Sequence, residues 1–408
     1  MERLRVALLS YRSKPTCGGQ GVYLRHITRE LVALGHHVEV FSGQPYPELD
    51  EGVILNKVPS LDLYRDEDPF RTPKLAEYRD WIDFLEVGTM WTAGFPEPLT
   101  FSIRAHRELK KRIGDFDVVQ DNQTLGYGVL GIQKHFPVVG TIHHPISVDR
   151  RIELEAAEGW AKLSKRRWYG FVRMQAYVAA RLKPILTVSE SSIADIHRDF
   201  DVPQSNLRLI PLGVDTRFFH PRPELGRRKG SIVAVASADS PMKGVATLLR
   251  AVAKLSTERD VNLTIVSKPT PGGPTEQLVA ELSLHDRVKF VHGITDDELG
   301  TLIATSEISV VPSLYEGFSL PAVEHMACGT PLIASRTGAL PEVVGDAAVM
   351  VTPGDPEELA ATLLRLHDSP AEREEYGKRG FDRVMERYAW PVVARKTVEA
   401  YREAIAAR

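Results

Sequence analysis

Short apolar runs rich in β-branched residues alternate with longer segments of helical periodicity along almost the whole chain. Short apolar runs are typical of buried strands, and strands that alternate with helices indicate βαβ units and parallel sheets. The pattern therefore predicts two doubly wound α/β domains with ligands at the carboxyl ends of the strands. The predicted strands are Arg5–Leu9, His37–Phe41, Val118–Gln120, Val138–Ile142, Ile185–Val188, Ile232–Ala236, Leu263–Val266, Val288–Val291, Ile308–Val311, Pro331–Ala334 and Ala348–Val351.

The segment Leu209–Asp215 contains proline and glycine and leads into the polar stretch His220–Gly230, so it is the predicted connection between the domains. A length of 408 residues also favours two domains over one or four. The net charge of -3 provides no overall attraction to nucleic acid. The two cysteines, Cys17 and Cys328, exclude a disulfide framework and a cysteine-rich metal site.

Residues 316–329, Glu-Gly-Phe-Ser-Leu-Pro-Ala-Val-Glu-His-Met-Ala-Cys-Gly, place two carboxylates around a predicted helix start. Pro321 suits the first turn of that helix and Gly329 suits its end. Glu316 then lies in the loop between strand and helix, and Glu324 lies about two turns into the helix.

The amides of Gly317, Phe318, Ser319 and Leu320 stand at this helix start, where N–H groups lack partners within the helix. Free amides at the positive end of a helix dipole attract phosphate. Carboxylates close by accept hydrogen bonds from hydroxyl groups, so the segment suits a nucleotide sugar, which carries phosphates and vicinal diols together. An ordinary strand–loop–helix unit with two surface glutamates is the alternative interpretation.

The segment resembles the E-x7-E motif of the family 4 retaining glycosyltransferases, and the rest of the chain matches that family in order. The resemblance implies the GT-B fold, two doubly wound Rossmann-like domains that face each other across a cleft. It implies that Glu316 contacts the donor sugar and Glu324 binds the ribose. In such enzymes the last helix returns to the first domain, and Trp390–Ala407 is the candidate. The predicted acceptor-side domain, nucleotide-sugar domain and returning helix are residues 1–212, 213–388 and 389–408.

Residues 44–100 do not follow the βα pattern, because they carry Pro, Asp, Trp and Phe without clear periodicity. Long irregular insertions in compact domains are usually functional or mobile. The resemblance places the acceptor on the first domain, so this segment is either acceptor-binding structure or a plain capping insertion.

A glycine-rich loop, Cys17-Gly-Gly-Gln-Gly21, follows the first predicted strand and precedes a predicted helix over Val22–Leu34. Glycines let backbone amides approach an anion closely. The loop lacks the G-x-G-x-x-G dinucleotide fingerprint, which argues against a dehydrogenase. The resemblance implies that Gly19, beside Gly18, lines the donor diphosphate and the sugar; an ordinary turn is the alternative.

A second anion candidate is Lys243, which stands just before the apolar helix Val245–Leu255. A cation is poorly placed at a helix start unless an anion is bound there; a solvated surface lysine is the alternative. The resembling family has an arginine where this chain has Ser237. Because a guanidinium can bind two phosphate oxygens at once, its loss requires a substitute cation, for which Lys268 is the nearest by topology, or weakens donor binding.

His143 and His144 follow the strand Val138–Ile142, at the edge where a doubly wound domain binds its ligand. The resemblance implies that His143 contacts the donor sugar, with His144 as the alternative in register. A loop histidine bonded to backbone is the other interpretation. A histidine metal site is not expected, because no second ligand cluster stands at a suitable spacing.

Two Asp-x-Asp pairs, Asp66-x-Asp68 and Asp115-x-Asp117, match the metal-binding motif of a different glycosyltransferase fold. Both fall in polar connecting regions and are interpreted as solvated loop charge. Because the resembling enzymes use amides and cationic side chains in place of a metal, the sequence predicts no metal and no cofactor beyond the nucleotide-sugar co-substrate.

Trp160–Lys183 combines apolar residues near helical spacing with basic residues, among them Lys162, Lys165, Arg166, Arg167 and Arg173. A basic amphipathic helix binds anionic membrane surfaces, but a core-packing helix with a charged outer face has the same pattern. No apolar run is long enough to span a bilayer, and no signal peptide precedes the first strand. The sequence predicts a cytoplasmic protein and leaves open peripheral contact with the inner face of a membrane through residues 160–183.

These features predict a metal-independent retaining glycosyltransferase that moves a hexosyl group from a UDP- or GDP-linked sugar to an unidentified acceptor, lipid-linked or small. The predicted catalytic residues are His143, Lys243 and Glu316. Two alternatives remain: a nucleotide-sugar epimerase of the same fold, and a catalytically silent nucleotide-sugar-binding protein, which the serine at position 237 suggests.

Overall fold

Two parallel sheets organise the protein, whose computed structural model describes residues 2–13 and 19–408. The seven-stranded sheet has the order β3-β2-β1-β4-β5-β6-β7, and every strand pair in it is parallel. Its strands are β1 Arg5–Ser10, β2 His37–Ser42, β3 Val53–Lys57, β4 Val118–Asn122, β5 Val138–Ile142, β6 Ile185–Thr187 and β7 Leu207–Leu209.

The six-stranded sheet has the order β10-β9-β8-β11-β12-β13 and is also parallel throughout. Its strands are β8 Arg228–Val235, β9 Asn262–Val266, β10 Val288–Val291, β11 Ser306–Val311, β12 Leu332–Ser335 and β13 Val349–Val351. All eleven strands predicted from the sequence are present, with ends shifted by four residues at most.

Helices supply the crossover connections that parallel strands require. They are α1 Gly19–Ala33, α2 Trp81–Trp91, α3 Glu97–Lys110, α4 Tyr127–Gln133, α5 Ser147–Glu155, α6 Gly159–Trp168, α7 Phe171–Ala179, α8 Glu190–Phe200, α9 Val245–Leu255, α10 Pro274–Glu281, α11 Asp296–Ala304, α12 Leu320–Ala327, α13 Leu340–Val344, α14 Pro356–Asp368, α15 Pro370–Arg387 and α16 Trp390–Ala406.

The chain divides into two compact units, Met1–Pro211 with Val393–Arg408, and Leu212–Val392. Each unit contains one of the sheets and has its own apolar core. Helix α16 contributes to the core of the first unit through Tyr401, which is fully buried and donates a hydrogen bond to the side chain of Gln120 on β4.

The interpretation of residues 44–100 as irregular was correct only in part. They contain β3, α2 and the start of α3. Strand β3 is an edge strand with half-exposed residues, so its sequence lacks the apolar run of a central strand. Helix α2 begins after Asp80, whose carboxylate accepts a hydrogen bond from the Ile82 amide as an N-terminal cap.

The single amphipathic helix considered for residues 160–183 was also wrong. Two helices, α6 and α7, divide this segment at Tyr169 and Gly170. On α7 the apolar residues Met174 and Val178 are buried, as the core-packing interpretation required, whereas Trp160 on α6 is 84% exposed.

Candidate functional site

The predicted donor site lies at the topological switch point of the second sheet. The chain runs outward from β8 to β9 and β10, and then starts again beside β8 with β11. The connections that follow β8 and β11 therefore run toward opposite edges of the sheet, and doubly wound sheets bind ligands at the carboxyl ends of two such strands. Lys243 lies in the loop that begins the first of these connections and Glu316 in the loop that begins the second.

Lys243 and Glu316 form an ion pair, with Nζ 2.7 Å from Oε1. The Ser313 hydroxyl donates a second hydrogen bond to the same oxygen over 2.8 Å. Glu316 is 8% exposed, and no described residue donates a hydrogen bond to its Oε2. The carboxylate is thus fixed through one oxygen, while the other is able to accept a hydrogen bond from a ligand.

Close backbone contacts hold these two loops together. The Leu314 amide donates to the Met242 carbonyl over 2.8 Å. Gly244 has a φ of +64°, and a Cβ at this position would lie 1.9 Å from the Pro312 carbonyl oxygen. A glycine is therefore required immediately after Lys243 for the loops to approach so closely.

The helix start of the E-x7-E segment has the predicted form. Helix α12 begins at Leu320, and Ser319 caps it by accepting a hydrogen bond from the Ala322 amide over 3.4 Å. Across residues 2–13 and 19–408, no acceptor is found for the amides of Phe318, Ser319 and Leu320. Gly317 lies in the same loop and makes a contact of its own. Three amides are thus available to an anion at the positive end of α12.

Glu324 is half-buried in α12 and receives no hydrogen bond from any described side chain. Burial raises the pKa of its carboxyl group to about 7, and the negative charge of Asp296 adds to the effect. A half-buried carboxylate without a partner suits hydrogen-bond donors supplied by a ligand, such as hydroxyl groups.

Ser237 and Lys268 each lie two residues beyond the end of a strand, and those strand ends, Val235 and Val266, are partners in the sheet. The Ala238 amide donates to Ser267 Oγ over 2.9 Å, which joins the two loops. Both predicted residues are exposed, and Lys268 forms no ion pair within the described chain. Lys268 thus places an unpaired ammonium on the loop after β9, beside the loop after β8 that carries Ser237.

In the first unit, His143 is held by three elements. Its Nε2 lies 2.6 Å from Asn122 Oδ1 at the end of β4, and its ring packs edge-on against Tyr23 of α1 with centroids 4.5 Å apart. The Gln123 side chain accepts a hydrogen bond from its amide over 2.7 Å. Burial lowers the pKa of His143 to about 4, so the ring is neutral at physiological pH.

The protonation of His143 follows from these contacts. Because Asn122 Oδ1 is an acceptor, the proton is on Nε2, and buried Nδ1 remains an acceptor with no partner among the described residues. The alternative, His144, is bonded through Nε2 to Asp149 over 3.1 Å. Gly19 is the first residue of α1, whereas Gly18 lies outside the described residues.

Several residues that hold the site escaped the sequence interpretation. Ser313, Asn122 and Tyr23 give no motif signal. Ser313 lies in the same loop as Glu316, whereas only the fold brings Asn122 and Tyr23 to His143. Gly244, directly after Lys243, differs from these residues. A glycine immediately before an apolar helix often has a positive φ, so the sequence alone indicated its conformation.

Metal ligands are not grouped at the site. The described residues contain no set of three or more His, Cys, Asp or Glu side chains arranged to hold an ion. In the second Asp-x-Asp pair, Asp115 and Asp117 form ion pairs with Arg112 and Arg5, in agreement with their interpretation as surface charge. None of the helices described here combines the length and the apolar character needed to cross a bilayer.

Family models match almost the whole chain. The model described as Glycosyltransferase Family 4 matches residues 17–218, and the model described as Glycosyl transferases group 1 matches residues 218–383. An "MMP alpha-(1->4)-mannosyltransferase" of Mycolicibacterium hassiacum is 58% identical over 99% of both chains. A "D-inositol 3-phosphate glycosyltransferase" of Saccharomonospora viridis is 28% identical, over 99% of this chain and 95% of that one.

Solved structures share the fold. The sucrose-phosphate synthase of Thermosynechococcus elongatus is 24% identical, with a TM-score of 0.72 and full coverage of both chains. Anabaena HepE in complex with UDP is 16% identical, with a TM-score of 0.71 over 98% of this chain and 100% of that one. Together with the two parallel sheets, these likenesses assign the GT-B fold.

Proposed function

The chain belongs to glycosyltransferase family 4, and from this premise we propose that it transfers a mannosyl group from a nucleoside-diphosphate mannose to the 4-hydroxyl of a mannoside acceptor. One observation carries the choice of sugar and linkage, the 58% identity over 99% of the chain to an alpha-(1->4)-mannosyltransferase. The geometry at the switch point of the second sheet supports a nucleotide sugar as donor.

Departure of the nucleoside diphosphate is the step that the site assists. As the bond between the anomeric carbon and the phosphate oxygen breaks, the sugar becomes oxocarbenium-like and negative charge grows on the diphosphate. Preformed donors aimed at that charge lower the barrier. Lys243 and the three unbonded amides at the start of α12 supply such donors. The amides of Gly18 and Gly19, and Lys268, complete the proposed set.

The two glutamates have separate roles in this proposal. Glu316 accepts a hydrogen bond from a sugar hydroxyl through Oε2, while Lys243 and Ser313 fix its other oxygen. Glu324 accepts from the ribose hydroxyls, for which it must be deprotonated, and its pKa of about 7 makes donor binding sensitive to pH. Ser237 is too short to replace an arginine, so it offers one hydroxyl to the diphosphate.

Retention follows from the linkage. An α-linked donor that yields an α-linked product keeps its configuration, so the acceptor oxygen attacks from the face that the leaving group vacates. The departing phosphate oxygen takes the acceptor's proton. His143 is neutral, because burial lowers its pKa to about 4, and it orients the sugar through hydrogen bonding rather than through charge.

A metal ion has no role in this proposal, because the ammonium of Lys243 and the helix amides neutralise the diphosphate.

Nucleoside-diphosphate release is measured with GDP-mannose, UDP-mannose and UDP-glucose, each with and without an α-mannoside acceptor and EDTA. We expect acceptor-dependent release from a mannose donor, unaffected by EDTA, and an α-(1→4) product by NMR. A β-linked product, or release only with added magnesium, would contradict the mechanism. Conversion of the donor without acceptor would indicate an epimerase, and binding without turnover a silent protein.

Peripheral membrane contact, in this proposal, is confined to α6. Trp160 and Leu163 are 84% and 48% exposed on this helix, beside Arg166 and Arg167. Exposed aromatic and basic side chains on one helix suit an anionic lipid surface. Co-sedimentation with anionic vesicles should fall when Trp160 is replaced by alanine and should not change for Trp81→Ala, which removes an exposed tryptophan from α2. Equal binding of both variants would exclude α6 as the contact.

A further inference from the structure

A cavity of about 410 Å³ lies among helices α5, α6, α7 and α8 of the first unit, and none of the residues assigned above to the donor lines it. Its wall is charged. Six charged side chains line it: Arg150, Arg151, Lys162, Arg173, Glu155 and Asp199. Four cations against two carboxylates leave a net charge of +2 on this wall.

The carboxylates neutralise only one of these cations, Arg151. Asp199 accepts hydrogen bonds from Ser147 over 2.7 Å and from Arg151 over 2.9 Å. Glu155 is exposed and forms no ion pair with any described residue. In the part of the chain that the structure describes, Arg150, Lys162 and Arg173 likewise have no carboxylate within ion-pair distance.

Three unpaired cations around one cavity are unfavourable in the free protein. Arg150 and Lys162 are half-buried, so water stabilises their charge less than it would on an open surface. Like charges around one cavity also repel each other. An anion bound among them would remove both costs.

We propose that this cavity is a binding site for a doubly charged phosphate group. Guanidinium groups bind phosphate oxygens in pairs, and Arg150 and Arg173, on α5 and α7, offer two such forks. Lys162 on α6 adds a point charge. The volume suits a phosphorylated small molecule or a lipid headgroup, whose recognised chemistry is the same. The inference does not depend on the proposed mannosyl transfer.

Calorimetric titration with inorganic phosphate and with glycerol 3-phosphate tests the site, at an ionic strength held constant with chloride. The double variant Arg150→Gln/Arg173→Gln removes both forks. Its matched control, Arg395→Gln, removes an exposed arginine of α16 that forms no ion pair with any described residue and does not line the cavity. We expect the dissociation constant for phosphate to rise about tenfold or more in the double variant and to stay within about twofold in the control. Any phosphate binding at the donor site is the same in all three proteins, so it does not contribute to the differences between their dissociation constants.

The outcomes separate a ligand site from a structural role. Without phosphate, the double variant should melt at the same temperature as the wild type or higher, because repulsion is relieved. Equal phosphate binding by wild type and double variant would overturn the proposal, and so would a lower melting temperature of the ligand-free double variant. Vesicles of phosphatidylcholine with phosphatidic acid, whose headgroup is a phosphate monoester, distinguish the sources: retention that depends on Arg150 and Arg173 identifies a lipid headgroup, and glycerol 3-phosphate binding without it identifies a soluble phosphate ester.

Discussion

Lys243 Nζ lies 2.7 Å from Glu316 Oε1, and this ion pair joins the loops that follow β8 and β11. One partner is the cation assigned to the leaving diphosphate, and the other is the carboxylate assigned to the sugar. Because Ser313 holds the same carboxylate oxygen, the pair is oriented before any donor binds. Such preorganisation reduces the rearrangement that transition-state stabilisation would otherwise require.

Replacement of Lys243 by alanine is expected to lower kcat by about 100- to 1000-fold, the usual effect of removing one preformed donor from a developing negative charge. Glu316 keeps the hydrogen bond from Ser313 and loses its counter-charge, so the free energy of unfolding should fall by about 1 kcal/mol. Steady-state kinetics and thermal denaturation measure the two effects.

Lys254→Ala is the matched control for this prediction, because Lys254 pairs with Glu357 on the exposed surface of the same unit. Its kcat should stay within about twofold of the wild type, since exposed ion pairs contribute little. A Lys243→Ala enzyme with undiminished turnover would show that other groups neutralise the diphosphate.

Glu316→Gln separates sugar binding from diphosphate binding. The change removes the negative charge beside the sugar and leaves Lys243 and the α12 amides in place, so binding of the free nucleoside diphosphate should change by less than about threefold. Turnover should fall by about 100-fold, because the glutamine no longer accepts hydrogen bonds as strongly as a carboxylate. Calorimetry and kinetics give the two values, with Glu357→Gln as the surface control. A large loss of diphosphate affinity would place Glu316 at the phosphates instead.

Glu324 predicts a pH dependence of donor binding. Its carboxylate must be ionised to accept two ribose hydroxyls, and its pKa is raised to about 7, chiefly by burial. As the pH falls from about 8 to about 6, the donor KM should therefore rise roughly tenfold. Glu324→Gln should bind donor weakly at every pH, without this rise. A KM that is flat over the same range in the wild type would exclude an ionised Glu324 from donor binding.

The raised pKa of Glu324 also makes the stability of the protein depend on pH. The ordinary pKa of an unfolded glutamate is about 4.3, so the folded state binds the proton more tightly than the unfolded state does between about pH 4 and pH 7. Stability is therefore lost as the pH rises through this window, and the penalty is complete above it. Glu324→Gln should increase the free energy of unfolding by about 1–3 kcal/mol at pH 8 and by almost nothing near pH 4. Chemical denaturation at the two pH values measures the difference.

The sequence predicted the central strands because burial on both faces leaves a readable apolar run, as in Val138–Ile142. It did not predict β3 and β7, which lie at the sheet edges, where half-exposed residues erase that run. The break at Tyr169 and Gly170 was missed for a different reason: apolar spacing alone continues smoothly through it.

In the candidate site, the sequence was sufficient for prediction where all the relevant residues lie in one continuous segment. Pro321 and the glutamates marked the start of α12 within one residue. The contact between Lys243 and Glu316 joins residues far apart in the chain, and only the order of strands β8 and β11 brings their loops together. Ser313 shows the limit most clearly, since a serine after a buried strand has no pattern of its own until its partner is known.

Lys268 is predicted to supply part of the charge that an arginine at position 237 would have given. Lys268→Ala should raise the donor KM by about 3- to 10-fold with a small effect on kcat, because an exposed ammonium binds phosphate less tightly than a buried one. The control is Lys289→Ala, an exposed lysine on the neighbouring strand β10. Ser237→Arg introduced into the Lys268→Ala variant should restore donor affinity. Without that rescue, the two positions would not serve the same phosphate.

Gly244→Ala tests whether the approach of the two loops, rather than Lys243 alone, sets the activity. The new Cβ would lie 1.9 Å from the Pro312 carbonyl oxygen, so the loop that carries Lys243 must shift. We expect the free energy of unfolding to fall by about 2–4 kcal/mol and kcat to fall with it, because the ammonium moves away from the diphosphate. Gly293→Ala is the control, since that glycine has a φ of +69° and no atom within 4 Å of the added Cβ. The Gly293→Ala variant has the backbone strain of a positive φ without the clash. Its free energy of unfolding should therefore fall by about 1 kcal/mol, and its kcat should not change. Equal kinetic losses in both variants would mean that strain, and not the contact with Pro312, governs the site.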